Sequence, residues 1–310
     1  ATKINYATNM TTNLVANRYD VLNAAQYIQL SQDEGFAVDD AGYDTNWFDE
    51  VTRTPINTSH TLSLSGGSGK TNYYASINYN TFEGIDKASE REFYNGTLRV
   101  NTKALNDKLD FSFLLNNSFN ERNFANYGAL SQSLKMNPTY PVRNPDGSFY
   151  QRPDIPFGLQ WNPVASMEHN SNNTKERTLL GTIKLDYHFL PELTGSLSYS
   201  LNKTDILGGS FSSPEDFFQQ REGQNGSASR SENNTTNNIV ETTVAFNKEL
   251  GDHDFNVIGG FSYQNTFNEG FSAGNNNFNT DAFEYNNLGA GSALNNLTPN
   301  FNRNGVFMGS

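Results

Sequence analysis

Period-two alternation over long segments is the feature that most limits what this chain can fold into. Successive side chains of a strand point to opposite faces, so a run with every second residue apolar builds a surface of two chemistries. From Tyr73 onward, Tyr73, Ala75, Ile77 and Tyr79 fall on one face, against Tyr74, Ser76, Asn78 and Asn80 on the other. The pattern returns with Leu98, Val100, Thr102 and Ala104, with Leu109, Phe111, Phe113 and Leu115, and with Leu179, Ile183, Leu185 and Tyr187. It recurs with Leu193, Leu197, Tyr199 and Leu201, with Val240, Thr242, Val244 and Phe246, and with Phe255, Val257, Phe261 and Tyr263. Leu62 and Leu64 carry a weaker version. Adding a segment near 3–10, we expect roughly nine strands, with a tenth beginning near 302.

The connections narrow the choice. Tight turns fall near 66–70, 106–108, 190–192 and 251–254, each containing Gly, Pro, Asn or Asp. Long links near 12–57, 83–91, 122–175, 207–235 and 269–302 separate them, so short and long alternate throughout. Outer-membrane barrels are built this way, with short periplasmic turns and long extracellular loops. A β-sandwich also supplies alternating strands but has no reason to lengthen every second loop. The expected fold is therefore all-β: an antiparallel transmembrane β-barrel segment over residues 1–310, with a soluble sandwich or solenoid as the alternative. Tyr73, Ala75, Ile77 and Tyr79 are expected to face lipid, and Ser76, Asn78 and Asn80 the lumen, because only that choice keeps the polar groups hydrated. Tyr73, Tyr79, Tyr187, Phe189 and Tyr263, near strand ends, fit an interfacial girdle. Strand segments longer than the roughly 9–11 residues needed to cross imply walls that project beyond the bilayer.

Composition agrees with a wall of this kind. Only 35% of the residues are hydrophobic, whereas 13% are aromatic and roughly one in seven is Asn. A soluble domain usually spends about 45–50% on apolar residues; a barrel strand needs them on one face alone. No run reaches the roughly 18 apolar residues of a membrane-spanning helix. A formal charge of −12 and the lack of any Lys/Arg cluster argue against a nucleic-acid partner. Cysteine is absent, which removes disulfides, thiol catalysis and thiolate metal sites. The N-terminus shows no basic region followed by an apolar stretch, so a leader was removed or the chain is an internal piece.

Local motifs are weaker. Residues 20–32 read as a short helix with Asp20 as N-cap, and 128–135 as another. Gly66-Gly67-Ser68-Gly69-Lys70-Thr71 invites a phosphate-loop reading, but Leu64 stands where the motif needs Gly and a strand follows instead of a helix, so it is a hairpin turn. His60, His169, His188 and His253 occur singly, and Asp39, Asp40 and Asp44 around Gly42 depart from calcium-loop spacing. No catalytic constellation, metal site or cofactor is expected, and the chain is not read as an enzyme. In the links, Tyr127, Tyr140, Phe149, Tyr150, Phe157 and Trp161, together with Trp47, are candidates for contact with substrate or a partner through their flat rings. The alternative is that they only pack the links on one another.

Several stretches resemble the early barrel of SusC/RagA-type TonB-dependent importers. They are Trp47-Phe48-Asp49-Glu50-Val51, Thr54-Pro55-Ile56, the run from His60 to Gly67, Thr71-Asn72-Tyr73-Tyr74-Ala75-Ser76 and Glu83-Gly84-Ile85. The run from Asp20 to Ile28 is similar to that family's loop helix. Asn137-Pro138-Thr139-Tyr140-Pro141-Val142, Asn144-Pro145-Asp146-Gly147-Ser148 and Trp161-Asn162-Pro163 are similar to its long extracellular loop. The resemblance implies part of a barrel of about 22 strands in a bacterial outer membrane, without the plug and TonB box. It also implies import of an oligosaccharide or peptide, a SusD-like surface lipoprotein as lid, and TonB acting through the plug. A passive or structural outer-membrane barrel, an outer-membrane hydrolase and a soluble Asn-rich β adhesin are the other readings.

Overall fold

The computed structural model describes residues 1–152 and 160–292, and the backbone of 300–309. Ten strands form one antiparallel sheet in chain order, each paired with its sequence neighbours. They are β1 (Lys3–Thr12), β2 (Ile56–Ser68), β3 (Thr71–Glu83), β4 (Glu90–Ala104), β5 (Leu109–Asn123), β6 (Asn170–Leu190), β7 (Leu193–Ser212), β8 (Ser227–Leu250), β9 (His253–Asn276) and β10 (Asn300–Gly309). β1 and β10 are the two edges; the described sheet does not close on itself.

Register converts the period-two pattern into faces, because directly paired residues of an antiparallel sheet project to the same side. One row runs Ile4, Leu64, Ala75, Leu98, Leu115 across β1 to β5. Another runs Tyr73, Val100, Phe113, Ile183, Tyr199, Val240, Tyr263 across β3 to β9. On the opposite side the rows read Ser63, Ser76, Thr97, Asn116 and Thr61, Asn78, Asn95, Ser118. The expected alternation thus becomes two continuous surfaces, one apolar and one polar.

The apolar face has a sharp upper edge. Rings of Tyr6, His60, Tyr79, Tyr94 and Phe119 follow one another across β1 to β5, with centroid separations of 4.7–6.3 Å, and Arg177 caps the series 5.7 Å from Phe119. In the next row outward the same face carries Glu92, Glu121 and Lys175. At the other end Tyr187 and Phe189 meet edge to face at 4.8 Å, the Phe189 ring lying where a Cβ on Gly195 would stand only 2.8 Å away. From Tyr94 to Ala104 is ten steps of about 3.3 Å, and a tilt of about 40° reduces that length to about 25 Å, the height of an apolar barrel band.

All the tight turns lie at the end opposite the long links. Gly69 takes φ +52°, and Leu105, Asn106 and Asp107 are all left-handed at φ 51°, 56° and 66°. Lys70 pairs with Asp107 at 2.8 Å across these two turns. Several expected boundaries shift at the link end. β7 runs to Ser212 and β8 starts at Ser227, so the link placed at 207–235 shrinks to 213–226; β6 starts at Asn170 and β9 runs to Asn276. The outer ends of β6 and β8 are almost entirely polar, and those of β7 and β9 carry only scattered apolar residues such as Leu207, Phe211 and Phe271, so they pair without a regular alternation and escape a hydrophobic pattern search. β8 and β9 each reach 24 residues, well past the bilayer requirement.

Among the described residues the links carry five α-helices, α1 (Ala24–Asp33), α2 (Trp47–Val51), α3 (Tyr127–Ser133), α4 (Pro163–His169) and α5 (Phe217–Arg221). α1 corrects the expected cap. Asn23, not Asp20, is the N-cap: its side chain accepts from Gln26 N at 2.9 Å, while Gln26 Oε1 accepts from Asn23 N at 3.0 Å. This reciprocal pair satisfies two orphan donors, which Asp20, outside the helix, does not.

Candidate functional site

The polar face is built as a hydrogen-bonded ladder. Thr61 Oγ1 donates to Asn78 Oδ1 at 2.7 Å, Asn78 Nδ2 to Asn95 Oδ1 at 3.5 Å, Asn95 Nδ2 to Asn116 Oδ1 at 3.0 Å and Asn116 Nδ2 to Thr97 Oγ1 at 2.8 Å. An amide both donates and accepts, so consecutive Asn residues satisfy one another sideways and still have capacity for water. The high Asn content has a structural use here.

Above this wall the links join into one cluster. Arg53 N donates to Ile85 O at 2.7 Å and Lys87 N to Val51 O at 3.0 Å, tying 13–55 to 84–89. Ser213 N donates to His169 O at 2.8 Å and Asn170 Nδ2 to Asp216 Oδ1 at 2.7 Å, tying 124–169 to 213–226. Phe278 N donates to Asn225 O at 2.7 Å, and Phe278 and Tyr285 pack with Phe211 and Ala228.

The densest junction joins 13–55 to 124–169. Trp47, Met136 and Tyr140 form a small core with Val142, Tyr150 and Val164 against it. Trp47 Nε1 donates to Asn137 O at 2.9 Å, Asn137 Nδ2 to Asp39 O at 2.8 Å and Thr45 N to Pro138 O at 2.8 Å. Asp39 Oδ2 accepts from the Tyr140 hydroxyl and, at 2.9 Å, from Arg152 Nη1. Burial and the Asp39 carboxylate push the Tyr140 phenol above its ordinary value. Asn162, only 1% exposed, donates to Val142 O at 2.8 Å and Tyr150 O at 3.2 Å and caps α4 by accepting from Val164 N and Ala165 N. A cavity of about 490 Å³ lies beside the junction, between Tyr27, Trp47, Met136, Tyr140 and Gln160.

The candidate aromatic residues are not gathered at one point. Tyr140 is 1% exposed and its ring meets Tyr150 at 5.0 Å, so both lie within the junction. Phe149 is held between Arg143, 3.8 Å from its centroid, and His169 at 5.1 Å. Trp161 meets Phe218 at 5.7 Å. Tyr127, at the start of α3, is 77% exposed. Phe157 lies outside the described residues. Asp40 Oδ1 accepts from Gly42 N and Asp44 Oδ1 from Ala24 N, so the carboxylates around Gly42 serve local turns and caps.

No family model matches the chain. TonB-dependent receptor SusC of Bacteroides thetaiotaomicron is 25% identical over 303 residues, covering 88% of this chain and 30% of that protein. TonB-dependent receptor P26 of Formosa agariphila is 30% identical over 258 residues, covering 82% of this chain and 26% of that protein. The chain is SusC-like TonB-dependent receptor sequence. It spans less than a third of the length of these relatives. In fold it is similar to the RagAB peptide importer in its closed-closed state, with a TM-score of 0.79 at 15% identity over 99% of this chain and 39% of that one. The ten strands of the SusC-like chain are therefore a stretch of transmembrane β-barrel wall.

Some residues that organise the link cluster of the SusC-like chain were visible in the sequence only as Asn-Pro pairs. Asn137 accepts from Thr139 N at 2.9 Å and Asn162 caps α4 with Pro163 in its first turn, so each Asn-Pro step starts a turn whose side chain then fixes the neighbouring backbone. In the third such run, Asp146 Oδ1 accepts from Ser148 N at 3.0 Å and Ser148 Oγ at 2.6 Å; these bonds hold its carboxyl below the ordinary value. Asp39 and Arg152 carried no comparable signal, because their partners are distant in sequence.

Proposed function

We propose that this chain forms barrel wall and extracellular links of a TonB-dependent outer-membrane transporter that imports oligosaccharides or peptides, with a SusD-like lipoprotein as lid. The two-faced sheet carries this reading. An apolar face bounded by rings suits lipid, and an Asn-lined face suits a wet lumen. The apolar face then points outward in a bacterial outer membrane, within a barrel of about 22 strands. Similarity to SusC and to the RagAB fold supports nutrient import as the activity of the whole receptor, with energy supplied by TonB through a plug. The joined links at one end offer a platform at the barrel mouth, where the exposed Tyr127 and the half-buried Trp161 are candidates for lid or substrate contact.

The test is deletion of 137–162 in the full-length receptor. β5 ends at Asn123 and β6 begins at Asn170, so no membrane strand is removed. The expected result is a heat-modifiable barrel that still assembles but retains less lipoprotein and takes up less cargo. Wild-type lipoprotein retention and uptake in the deleted receptor would overturn the role given to this link.

A further inference from the structure

At the mouth end of the polar face two arginines stand directly opposite each other. Arg91 of β4 pairs in register with Arg122 of β5, and the same row holds Phe82 of β3 and Thr174 of β6. Like charges on directly paired positions are about 5 Å apart at Cβ and destabilise a sheet. Such pairs are usually relieved by a nearby carboxylate. Here neither guanidinium has a carboxylate within ion-pair distance among the described residues, although the chain carries a net charge of −12.

The acidic groups nearby are engaged elsewhere. Glu83 accepts from Ile56 N at 3.0 Å and Glu90 from Asn123 Nδ2 at 2.7 Å, both on the other face of the sheet. Asp86 accepts from Ala88 N and Ser89 N within its own turn. Glu176, on the same face as the arginines, accepts from Thr178 Oγ1 at 3.4 Å and Asn120 Nδ2 at 3.5 Å.

The arginines are nevertheless positioned. Arg91 Nε donates to Asn120 Oδ1 at 2.6 Å, and its guanidinium lies 5.4 Å from the Phe82 centroid and 5.1 Å from that of Phe93. Arg122 lies 5.7 Å from Phe124. Ring contacts hold the planar forks while their outer N–H groups have no partner among the described residues, which is how a guanidinium is presented to a carboxylate in bidentate fashion. A cavity of about 490 Å³ opens over the pair, walled by Phe82, Phe124, Tyr127 and Leu130; Glu83, Asp86 and Glu90 also line it, each held by the bonds given above.

We propose that Arg91 and Arg122 form a carboxylate-binding site at the barrel mouth, and that the cargo of the receptor is an acidic oligomer. This rests on the import reading and adds the charge of what is imported. The carboxylate belongs either to an acidic peptide or to a uronate-bearing oligosaccharide, and the two are separated by experiment.

Full-length receptor in detergent is mixed with two pools of equal-length oligomers, one of hexapeptides with and without Glu and one of neutral and uronate oligosaccharides, and what it retains is identified by mass spectrometry. Acidic members are expected to be retained at least about tenfold over neutral ones in one pool, as bidentate charged pairs imply. The Arg91→Gln/Arg122→Gln receptor should lose that preference, and Arg91→Lys/Arg122→Lys should keep only part of it, because an ammonium lacks the fork. No acidic preference in either pool, or an equal preference in the Gln variant, overturns the site. An Asn80→Cys receptor in membranes separates the two levels. If a water-soluble thiol reagent labels Cys at position 80 and acidic preference is absent, only the carboxylate site fails; labelling by a lipid-phase reagent alone removes the import-wall reading with it.

Discussion

Below the ring row of His60, Tyr79, Tyr94 and Phe119 the two faces of the sheet are chemical opposites; above it they are alike. In the lower part Ile77 and Asn78 are adjacent in sequence and stand on an apolar and a polar surface respectively. In the upper part Glu121 and Lys175 occupy the face that carries Leu115 and Leu179 lower down, and Arg122 and Thr174 occupy the other. Backbone pairing runs without a break through both regions. The strand is thus specified by hydrogen bonding, whereas alternation is imposed by having a different medium on each side. Where both sides are wet, alternation has no physical cause and disappears.

The largest expected effect tests that contrast inside the apolar band. Ile77→Arg places a charge on the apolar face at a side chain that is 65% exposed, and in the full-length receptor this should cost about 2–4 kcal/mol of folding into a bilayer. Asn78→Arg, one residue away, should cost far less because its face stays hydrated. Urea titration of folding into lipid vesicles measures both. Equal losses would mean that the two faces do not meet different media.

A second contrast sets the link junction against the wall that carries it. Asn162 makes four hydrogen bonds with its buried amide, so Asn162→Ala strands two carbonyls and two N–H groups, an expected local loss of about 2–3 kcal/mol. Hydrogen exchange should rise across 134–150 and α4 and stay unchanged in β2 to β5. If strand amides exchange faster as well, the junction is part of the wall's cooperative unit and not a body resting on it.

Legibility in the sequence divides along the same line. Strands β3 to β5, the tight turns and the alternation of short with long links were readable because lipid-type and water-type residues alternate where the faces differ. The outer ends of β6 to β9 were not, since segments such as 229–238 are polar throughout and pair only because a neighbouring strand is present. α3 was readable to within a residue or two, whereas α2 and α5, at five residues each, are too short to show a helical period. Among the candidate aromatics, nothing local separates Tyr140, buried by a junction with residues about a hundred positions earlier, from Tyr127, which is exposed. The arginine pair was invisible for the same reason: Arg91 and Arg122 meet only through register.

A smaller effect comes from Tyr140. Its hydroxyl donates to Asp39, and a phenol with a raised pKa stays neutral in the folded junction when the unfolded chain has ionised. Its contribution is therefore complete below the ordinary value of 10.0 and is lost as pH rises beyond it. Tyr140→Phe should weaken the junction by about 1.5 kcal/mol at neutral pH and remove this alkaline loss. Protease nicking of 134–152 between pH 7 and pH 11 reads both; an alkaline step that persists in the Phe variant would assign it to another group.

The smallest expected effect locates the upper edge of the band. Lys175 Nζ lies 2.7 Å from Glu121 Oε1, and both side chains are about 40% exposed. On a wet surface such a pair is worth less than about 1 kcal/mol and weakens with salt. If the ring row marks the edge, Lys175→Leu should change bilayer folding by less than that, and raising salt should narrow the difference further. Were the bilayer to reach one row higher, the pair would be desolvated, and removing one partner would leave Glu121 as an unpaired charge in lipid, with a loss comparable to that of Ile77→Arg and insensitive to salt. Lys175→Leu and Ile77→Arg change residues on the same face of the sheet, so the ratio of their effects fixes where water gives way to lipid along it.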